Sequence, residues 1–276
     1  MNSSRTEDDL TDEARVFVNG AFLPSNRATI SVFDRGLTYG DGLFETIRAY
    51  NGRPFALDRH ISRLRRGLDE LAIPFTTETA FEETITKLLK LNHLDSSDAY
   101  IRITVTRGAD HGGLLPSEEI EPTIIIVAKR VDTSKIELWQ RKGISVSFIE
   151  GYLPPLPHMK TLNYLPSLMA KMEAVRRGAD EGLFVRNGLI TEGTTSNIFT
   201  VKDGILSTPP ADGIACRESP LTVTEFLESD EAFMSNAIAE IAPVVAVDGH
   251  RVGDGEGGST TRLLQRAYME MAQADL

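Results

Sequence analysis

Lys160 and Glu192 are the two residues of this chain whose types and surroundings most clearly offer chemistry. Lys160 follows a stiff apolar run, residues 152–157, so its backbone is expected to be constrained and its ammonium half buried. Burial disfavours the charged amine and lowers its pKa, which is what a lysine that forms an imine needs. Glu192 is expected at the end of a strand, followed by the small polar groups of Thr194, Thr195, Ser196 and Asn197. A lysine that can hold an aldehyde and a carboxylate that can tune it are what these types provide. A lone lysine is more often a solvated surface charge, so the elements around it carry the argument.

Downstream of Lys160, Leu165, Leu168, Met169, Met172 and Val175 recur at helical spacing, with Pro166 near the start and Gly178 just past the end. This predicts an amphipathic helix directly after the lysine. Residues 183–185 and 189–191 flank Asn187-Gly188, a strong hairpin signal that leads the chain into Glu192. Earlier, residues 16–18 and 21–23 flank Asn19-Gly20 as an opening hairpin. Gly36, Gly40 and Gly42 mark a tight loop, and because Gly40-Asp41-Gly42 precedes a strand and not a helix, it is no dinucleotide loop.

In the strand over 43–50, alternation places Phe44, Thr46 and Arg48 on one face and Glu45 and Ile47 on the other. Asn51-Gly52 turns the chain back, and Asp58 can cap a helix with Ile61, Leu64, Leu68 and Leu71 as its stripe, ended by Pro74. Arg63 points away from that stripe. A second helix covers 81–91, with Phe81, Ile85, Leu88 and Leu89 inward. In a strand over 99–106, Tyr100, Arg102, Thr104 and Thr106 share one face while Ile101, Ile103 and Val105 pack behind; cross-strand hydrogen bonding is the bland alternative for the polar face. A buried strand over 123–128 closes a first domain.

The expected organisation is a flexible acidic tail (1–14), a small α/β domain (15–131), a link (132–136) and a larger domain (137–276). The larger domain holds strands over 144–149 and 232–234, a hairpin at Asp248-Gly249, and a closing helix over 260–272 with Leu263, Leu264, Ala267 and Met271 on one face. Ser235, Asn236 and Ala237 follow a strand, where a loop can offer backbone N–H groups to a phosphate.

Composition narrows the class. With 276 residues and 41% hydrophobic content, the chain can build a real core. A formal charge of -11, from 29 Lys+Arg against 40 Asp+Glu, argues against a nucleic-acid or anionic-membrane binder, because phosphate repels such a surface. Cys216 is the single cysteine and the five histidines lack metal-ligand spacing, so no disulfide and no metal site is expected. No apolar run approaches a membrane span and the N-terminus is acidic, so a cytoplasmic protein is expected.

Three stretches together resemble one family. K-T-L-N-Y-L from Lys160, E-A-x-x-x-G-A-D-E-G from Glu173 and T-E-G-T-T-S-N-I-F from Thr191 resemble the central signature of the class IV, fold-type IV pyridoxal-phosphate aminotransferases in order and spacing. D-R-G-L-x-Y-G-D-G-L-F-E-T-I-R-A-Y from Asp34 resembles that family's N-terminal signature, and the similarity runs from Val16 to Ala272. The resemblance implies a two-domain α+β, α/β fold of the D-amino-acid aminotransferase type. Its parts are a small N-terminal α/β domain and a larger mixed, β-barrel-like C-terminal domain, in a homodimer.

The resemblance also implies roles. Lys160 forms the Schiff base with pyridoxal 5'-phosphate and shuttles the proton; Glu192 faces the pyridine nitrogen and keeps it protonated. Tyr164 lies near the cofactor's phenolate oxygen or the lysine. Arg63, in the H-x-x-R-L motif, holds the phosphate, a role that suits a planar and permanently charged guanidinium. Asn197, Ser235, Asn236 and Ala237 complete the cofactor site. Tyr39, Phe44, Arg48, Tyr100 and Arg102 line a substrate pocket for an amino acid and a 2-oxo acid.

Two features of the chain depart from the pattern. After Thr208-Pro209-Pro210 the family's G-I-T-R segment, whose helix N-terminus grips the phosphate, has no counterpart near 213–216, and Ala237 replaces a common threonine. Weaker cofactor retention is the expectation. The leading reading is a branched-chain transaminase using 2-oxoglutarate. The alternatives are an aminodeoxychorismate lyase-type enzyme and a degenerate, non-catalytic homologue. The loop after Arg107-Gly108 offers Gly112 and Leu114 where D-amino-acid aminotransferases place an arginine and a histidine, which lowers the D-specific reading.

Overall fold

The computed structural model describes residues 14–75, 80–154, 156, 158–209 and 217–274. The apparent deletion near 213–216 lies outside them, as does all of the acidic tail but Ala14. Contacts divide the chain into two compact units, and the division does not follow chain order. The first unit runs to Asp132 and takes back Met159–Asn163; the second holds Thr133–His158 and the chain from Tyr164 on.

The first unit is a six-stranded sheet of β1 (Arg15–Val18), β2 (Ala21–Pro24), β3 (Gly42–Tyr50), β4 (Arg53–Pro54), β5 (Ala99–Thr106) and β6 (Thr123–Arg130). Its order is β2-β1-β6-β5-β3-β4, with antiparallel pairs throughout. Three helices accompany it: α1 (Arg35–Tyr39), α2 (Leu57–Glu70) and α3 (Phe81–Leu91). Leu43, Ile47 and Ala49 of β3 join Ile101, Ile103 and Val105 of β5 in one core with Leu64 and Leu68 of α2 and Ile85, Leu88 and Leu89 of α3. Burying each such leucine contributes about 1.5–3 kcal/mol. At Gly67 the approach of α2 is so close that a Cβ would stand 2.5 Å from Leu43 Cδ1.

The second unit is a mixed sheet of ten strands among the described residues: β7 (Ile144–Ile149), β8 (Glu181–Arg186), β9 (Leu189–Gly193), β10 (Asn197–Lys202), β11 (Ile205–Thr208), β12 (Arg217–Glu218), β13 (Leu221–Thr222), β14 (Glu231–Asn236), β15 (Glu240–Val247) and β16 (His250–Arg251). The path is β12-β11-β10-β14-β15-β7-β8-β9-β13, with β16 on β15. β9 and β10 stand far apart along that path, yet the turn in which Gly193 N–H donates to Ser196 O joins them. The sheet therefore curls into a nearly closed barrel. Its helices are α4 (Thr133–Lys142), α5 (Leu165–Arg176), α6 (Val223–Leu227) and α7 (Ser259–Ala274). No described helix is long and apolar enough to cross a membrane.

The expected hairpins form where Asn-Gly or Asp-Gly pairs predict them. Asn19-Gly20, Asn51-Gly52, Asn187-Gly188 and Asp248-Gly249 all hold positive φ at both positions, the backbone a type I′ turn demands. Asp203-Gly204 does the same between β10 and β11.

The helices depart from the sequence expectation in five places. Residues 35–39, expected as a glycine loop, form α1, capped by the Asp34 carboxylate accepting from Gly36 N–H. Thr133–Lys142 is helix from the start of the expected link. Asp58 lies inside the first turn of α2, whose N-cap is Ala56 with no side-chain bond. The fourth departure concerns α5, which begins at Leu165, five residues past the lysine, and buries Ser167, Ala170 and Ala174. Of its apolar stripe, Leu165, Leu168, Met172 and Val175 are exposed and Met169 is half-buried. Small residues let the helix lie close on the sheet beside Ile149 and Phe184, so the bulky ones face away. In α7 the outcome is mixed: Leu264 packs on the Phe199 and Phe233 cluster as expected, whereas Leu263 and Met271 are exposed and Thr261 and Ala272 are buried.

Candidate active site

In the first unit, Lys160 is fixed by the strand edge it joins. β4 pairs only with Ala49 and Tyr50, which leaves the other end of β3 without a neighbour on that side. The segment after Met159 takes that place: Phe44 N–H donates to Lys160 O at 2.9 Å, Thr161 bridges to Leu43, and Leu162 N–H donates to Gly42 O at 3.0 Å. Only glycine permits this approach at Gly42, because a Cβ there would meet Val105 O at 2.5 Å and Leu162 Cδ1 at 2.9 Å. Lys160 Nζ then stands 5.3 Å from the centre of the Phe44 ring, and the Lys160 side chain is partly buried.

The Phe44 ring meets a second cation. Arg102 lies 3.8 Å over it and donates from Nε to Thr104 Oγ1 at 3.3 Å. Register explains the meeting: Phe44 faces Thr104, Thr46 faces Arg102, and Arg48 faces Tyr100 across β3 and β5. The expected face parity is thus present, and Phe44, Thr46, Arg48, Tyr100 and Arg102 share one side of the sheet. Arg48 is tied down there, donating to Asp98 at 2.7 Å and lying 4.7 Å over the Tyr50 ring. Tyr39 is exposed at the end of α1, with the Arg35 guanidinium 4.7 Å over its ring.

On the opposite face, Glu45 is the only carboxylate among the apolar residues of β3. It is buried, and its oxygens accept from Arg63 Nε and Nη2 at 2.5 and 2.6 Å and pair with His60 Nδ1 at 2.9 Å. Burial by itself raises a carboxyl pKa, but the hydrogen bonds from His60 and Arg63, with their charge, hold Glu45 below its ordinary value. Arg63 therefore has a fixed orientation while its side chain stays 47% exposed, so it can still meet an anion. The sequence singled out Arg63 only through the resemblance of its motif. Its anchor Glu45 was visible only as an acid on the apolar side of a strand.

A third cluster braces the loop after β5. Arg107 donates twice to Asp41, and Arg35, itself buried, donates to Asp41 and to the carbonyls of Gly113 and Leu114. Burial opposes ionisation of Asp41, yet the bonds from Arg107 and Arg35 lower its pKa. The braced loop presents the Leu114 and Leu115 side chains exposed.

In the second unit, Glu192 is half buried near the end of β9. Asn197, first residue of β10, pairs in register with Ser235 of β14, so two of the expected site residues sit side by side. Asn236 spends its side chain on its own turn, accepting from Ile238 N–H at 2.9 Å and Ala239 N–H at 2.7 Å. Ala237 lies in that turn. Tyr164, just before α5, donates its hydroxyl to Thr194 O at 3.3 Å. Ser196 Oγ is buried with no hydrogen-bond partner among the described residues. Missed by the sequence reading was Glu181, buried at the start of β8, with Lys171 of α5 against it at 3.1 Å. The E-G of the A-D-E-G motif was the available signal.

Residues 42–247 match the family model for amino-transferase class IV. A Methanocaldococcus jannaschii protein, provisionally named a branched-chain-amino-acid aminotransferase, is 36% identical over 283 residues, 93% of this chain and 96% of that protein. D-alanine aminotransferase of Staphylococcus haemolyticus is 33% identical over 276 residues, covering 92% and 96%. Among solved structures, the branched-chain amino acid aminotransferase of Escherichia coli superposes with a TM-score of 0.83 at 29% identity, covering 94% of each chain. Another branched-chain amino acid aminotransferase, complexed with N-(5'-phosphopyridoxyl)-L-glutamate, superposes with a TM-score of 0.83 at 28% identity, covering 95% of each chain.

Proposed function

The chain belongs to the class IV aminotransferases, and from that premise we propose that it transfers the amino group of a branched-chain amino acid to 2-oxoglutarate, with pyridoxal 5'-phosphate held by Lys160. The residues fit such a cofactor. One structural relative, a branched-chain amino acid aminotransferase, is solved with a phosphopyridoxyl group. In this chain, the half-exposed Arg63 can meet a phosphate, and the buried Ser196 Oγ lacks the partner a buried hydroxyl needs. When bound, the cofactor supplies an electron sink for charge developing at the substrate Cα.

The chain's own residues supply the rest. Lys160 Nζ holds the cofactor and then moves the proton from the substrate Cα, the task of a positioned amine base. The Phe44 ring beneath Nζ gives the amine an aromatic face to rest on. Glu192 keeps the pyridine nitrogen protonated, and Arg63, oriented by Glu45, binds the phosphate. Phe44 and Arg102 offer an apolar surface beside a cation, which suits a substrate with a hydrophobic side chain and a carboxylate.

The Lys160 and Arg102 cations over one phenyl ring carry this reading. The loop of Gly112 and Leu114, without a side-chain cation at either position, favours branched-chain over D-specific substrates. We assign the working form to a homodimer, supported by the exposed residues of α5 and by Ile30, Val32, Phe33 and Leu37 on the first unit, and its place to the cytoplasm.

Borohydride reduction of the loaded protein tests the core of the proposal. Mass spectrometry is expected to find the reduced cofactor on the peptide containing Lys160, and to find none in Lys160→Ala. Leucine or valine with 2-oxoglutarate should then yield glutamate and keto acid in equal amounts. Preference for D-alanine would move the assignment to the D-amino-acid branch, and pyruvate release without an acceptor would move it to the lyase. Absence of trapped cofactor would end it.

A further inference from the structure

The buried Glu181 carboxylate lies outside every role assigned so far, yet each of its oxygens accepts a hydroxyl from the turn that follows Glu192. Oε1 accepts from Gly182 N–H at 2.9 Å and from the Thr194 hydroxyl; Oε2 accepts from the Thr195 hydroxyl at 2.9 Å and from Lys171 Nζ at 3.1 Å. Lys171 also donates to Asp180 O at 2.5 Å, so one ammonium ties α5 to the start of β8. Thr194 is held at three points: its N–H donates to Gly182 O at 2.9 Å, its hydroxyl donates to Glu181, and its carbonyl accepts from Tyr164. Gly193 N–H closes the turn on Ser196 O at 2.7 Å, and a side chain at Gly193 would collide with Ser196 Oγ.

Apolar packing could hold β8 against β9 without any of this. A buried carboxylate whose acceptors are filled by two hydroxyls does something packing cannot, which is to set where each hydroxyl proton points. Both threonine hydroxyls must donate inward. The Thr194 carbonyl, unable to donate, in turn commits the Tyr164 proton to itself.

We infer that Glu181, balanced by Lys171, is the positioning residue of the cofactor site in the second unit. It fixes the turn 194–196 and through that turn the direction of Tyr164, Glu192 and Ser196. This inference rests on the pyridoxal-phosphate reading above. Glu181 itself needs no contact with cofactor or substrate.

The test uses the full-length chain loaded with pyridoxal 5'-phosphate, comparing wild type with Glu181→Gln and with Thr195→Val. The second removes a single hydroxyl from an exposed residue and leaves the carboxylate and its cation in place. Cofactor affinity and the pH midpoint of the bound cofactor's visible absorbance are measured, alongside the melting temperature of the cofactor-free protein. Removing an outer hydrogen-bond partner that orients the groups holding a bound metal typically costs about 10- to 100-fold, and Glu181→Gln is expected to weaken cofactor retention by a comparable factor and to move the absorbance midpoint. Thr195→Val should move both in the same direction by less, with the cofactor-free melting temperature unchanged. Wild-type affinity and midpoint in Thr195→Val and in folded Glu181→Gln would overturn the role. So would a loss confined to melting temperature. A wild-type protein with no visible band fails earlier, and sinks the cofactor reading instead.

Discussion

Glu45 shows how one residue sets the direction of another, here Arg63, to which we assign the phosphate. Its folded pKa is depressed, so its stabilising contribution is fully present above the ordinary glutamate value of 4.5 and is lost as pH falls through the lower folded value. Glu45→Gln, which leaves Arg63 and His60 facing a neutral amide, should cost about 1–3 kcal/mol at neutral pH. The gap between variant and wild type should close on acidification, as chemical denaturation at several pH values can measure; a constant gap would show that the carboxylate does not carry the effect. Arg63 drew notice in the sequence through the H-x-x-R-L motif and the singular chemistry of a guanidinium, and its ties to Glu45 did not. Glu45 and Glu181 were harder to see. An acid that serves by holding another group has no spacing of its own, and only burial with filled acceptors distinguishes it from a surface charge.

Among the elements, α5 is the most instructive. Its helical period was plain in the sequence, but the side that packs was not, because hydrophobicity marks which residues avoid water and not which neighbour covers them. Ser167, Ala170 and Ala174 let the helix axis approach the sheet, and bulk there is what the fold cannot accept. Ala170→Leu should therefore destabilise by about 1–3 kcal/mol through overpacking. Leu168→Lys, on the exposed stripe, should change the unfolding free energy of a dissociated subunit by no more than about 0.5 kcal/mol. Denaturant titration of both variants checks the contrast, and the reverse ordering would refute the packing. The hairpins were legible for the opposite reason. Asn-Gly and Asp-Gly turns depend on a local backbone conformation that no distant contact has to decide. α1 escaped notice because five residues are too few for a period to show, and its glycines resembled a loop.

At the scale of the whole molecule, the exposed apolar residues of each unit predict association. Sedimentation at micromolar protein should give a dimer, and Leu168→Lys combined with Met172→Lys should shift the equilibrium toward single subunits; a wild-type monomer under those conditions would remove the assignment. The fold class was within reach of the sequence because signature stretches in both halves agreed. The membership of the two units was not, since chain order places residues 159–163 deep in the second half while their hydrogen bonds belong to β3. This has a consequence for biosynthesis. A ribosome that has released only the first 132 residues has delivered a sheet with one flank bare, and the missing strip, Lys160 with it, arrives later in translation. Any scheme that splits the chain near position 132 to make two soluble halves must carry that strip across the cut, or the N-terminal half will present an open strand edge to its neighbours.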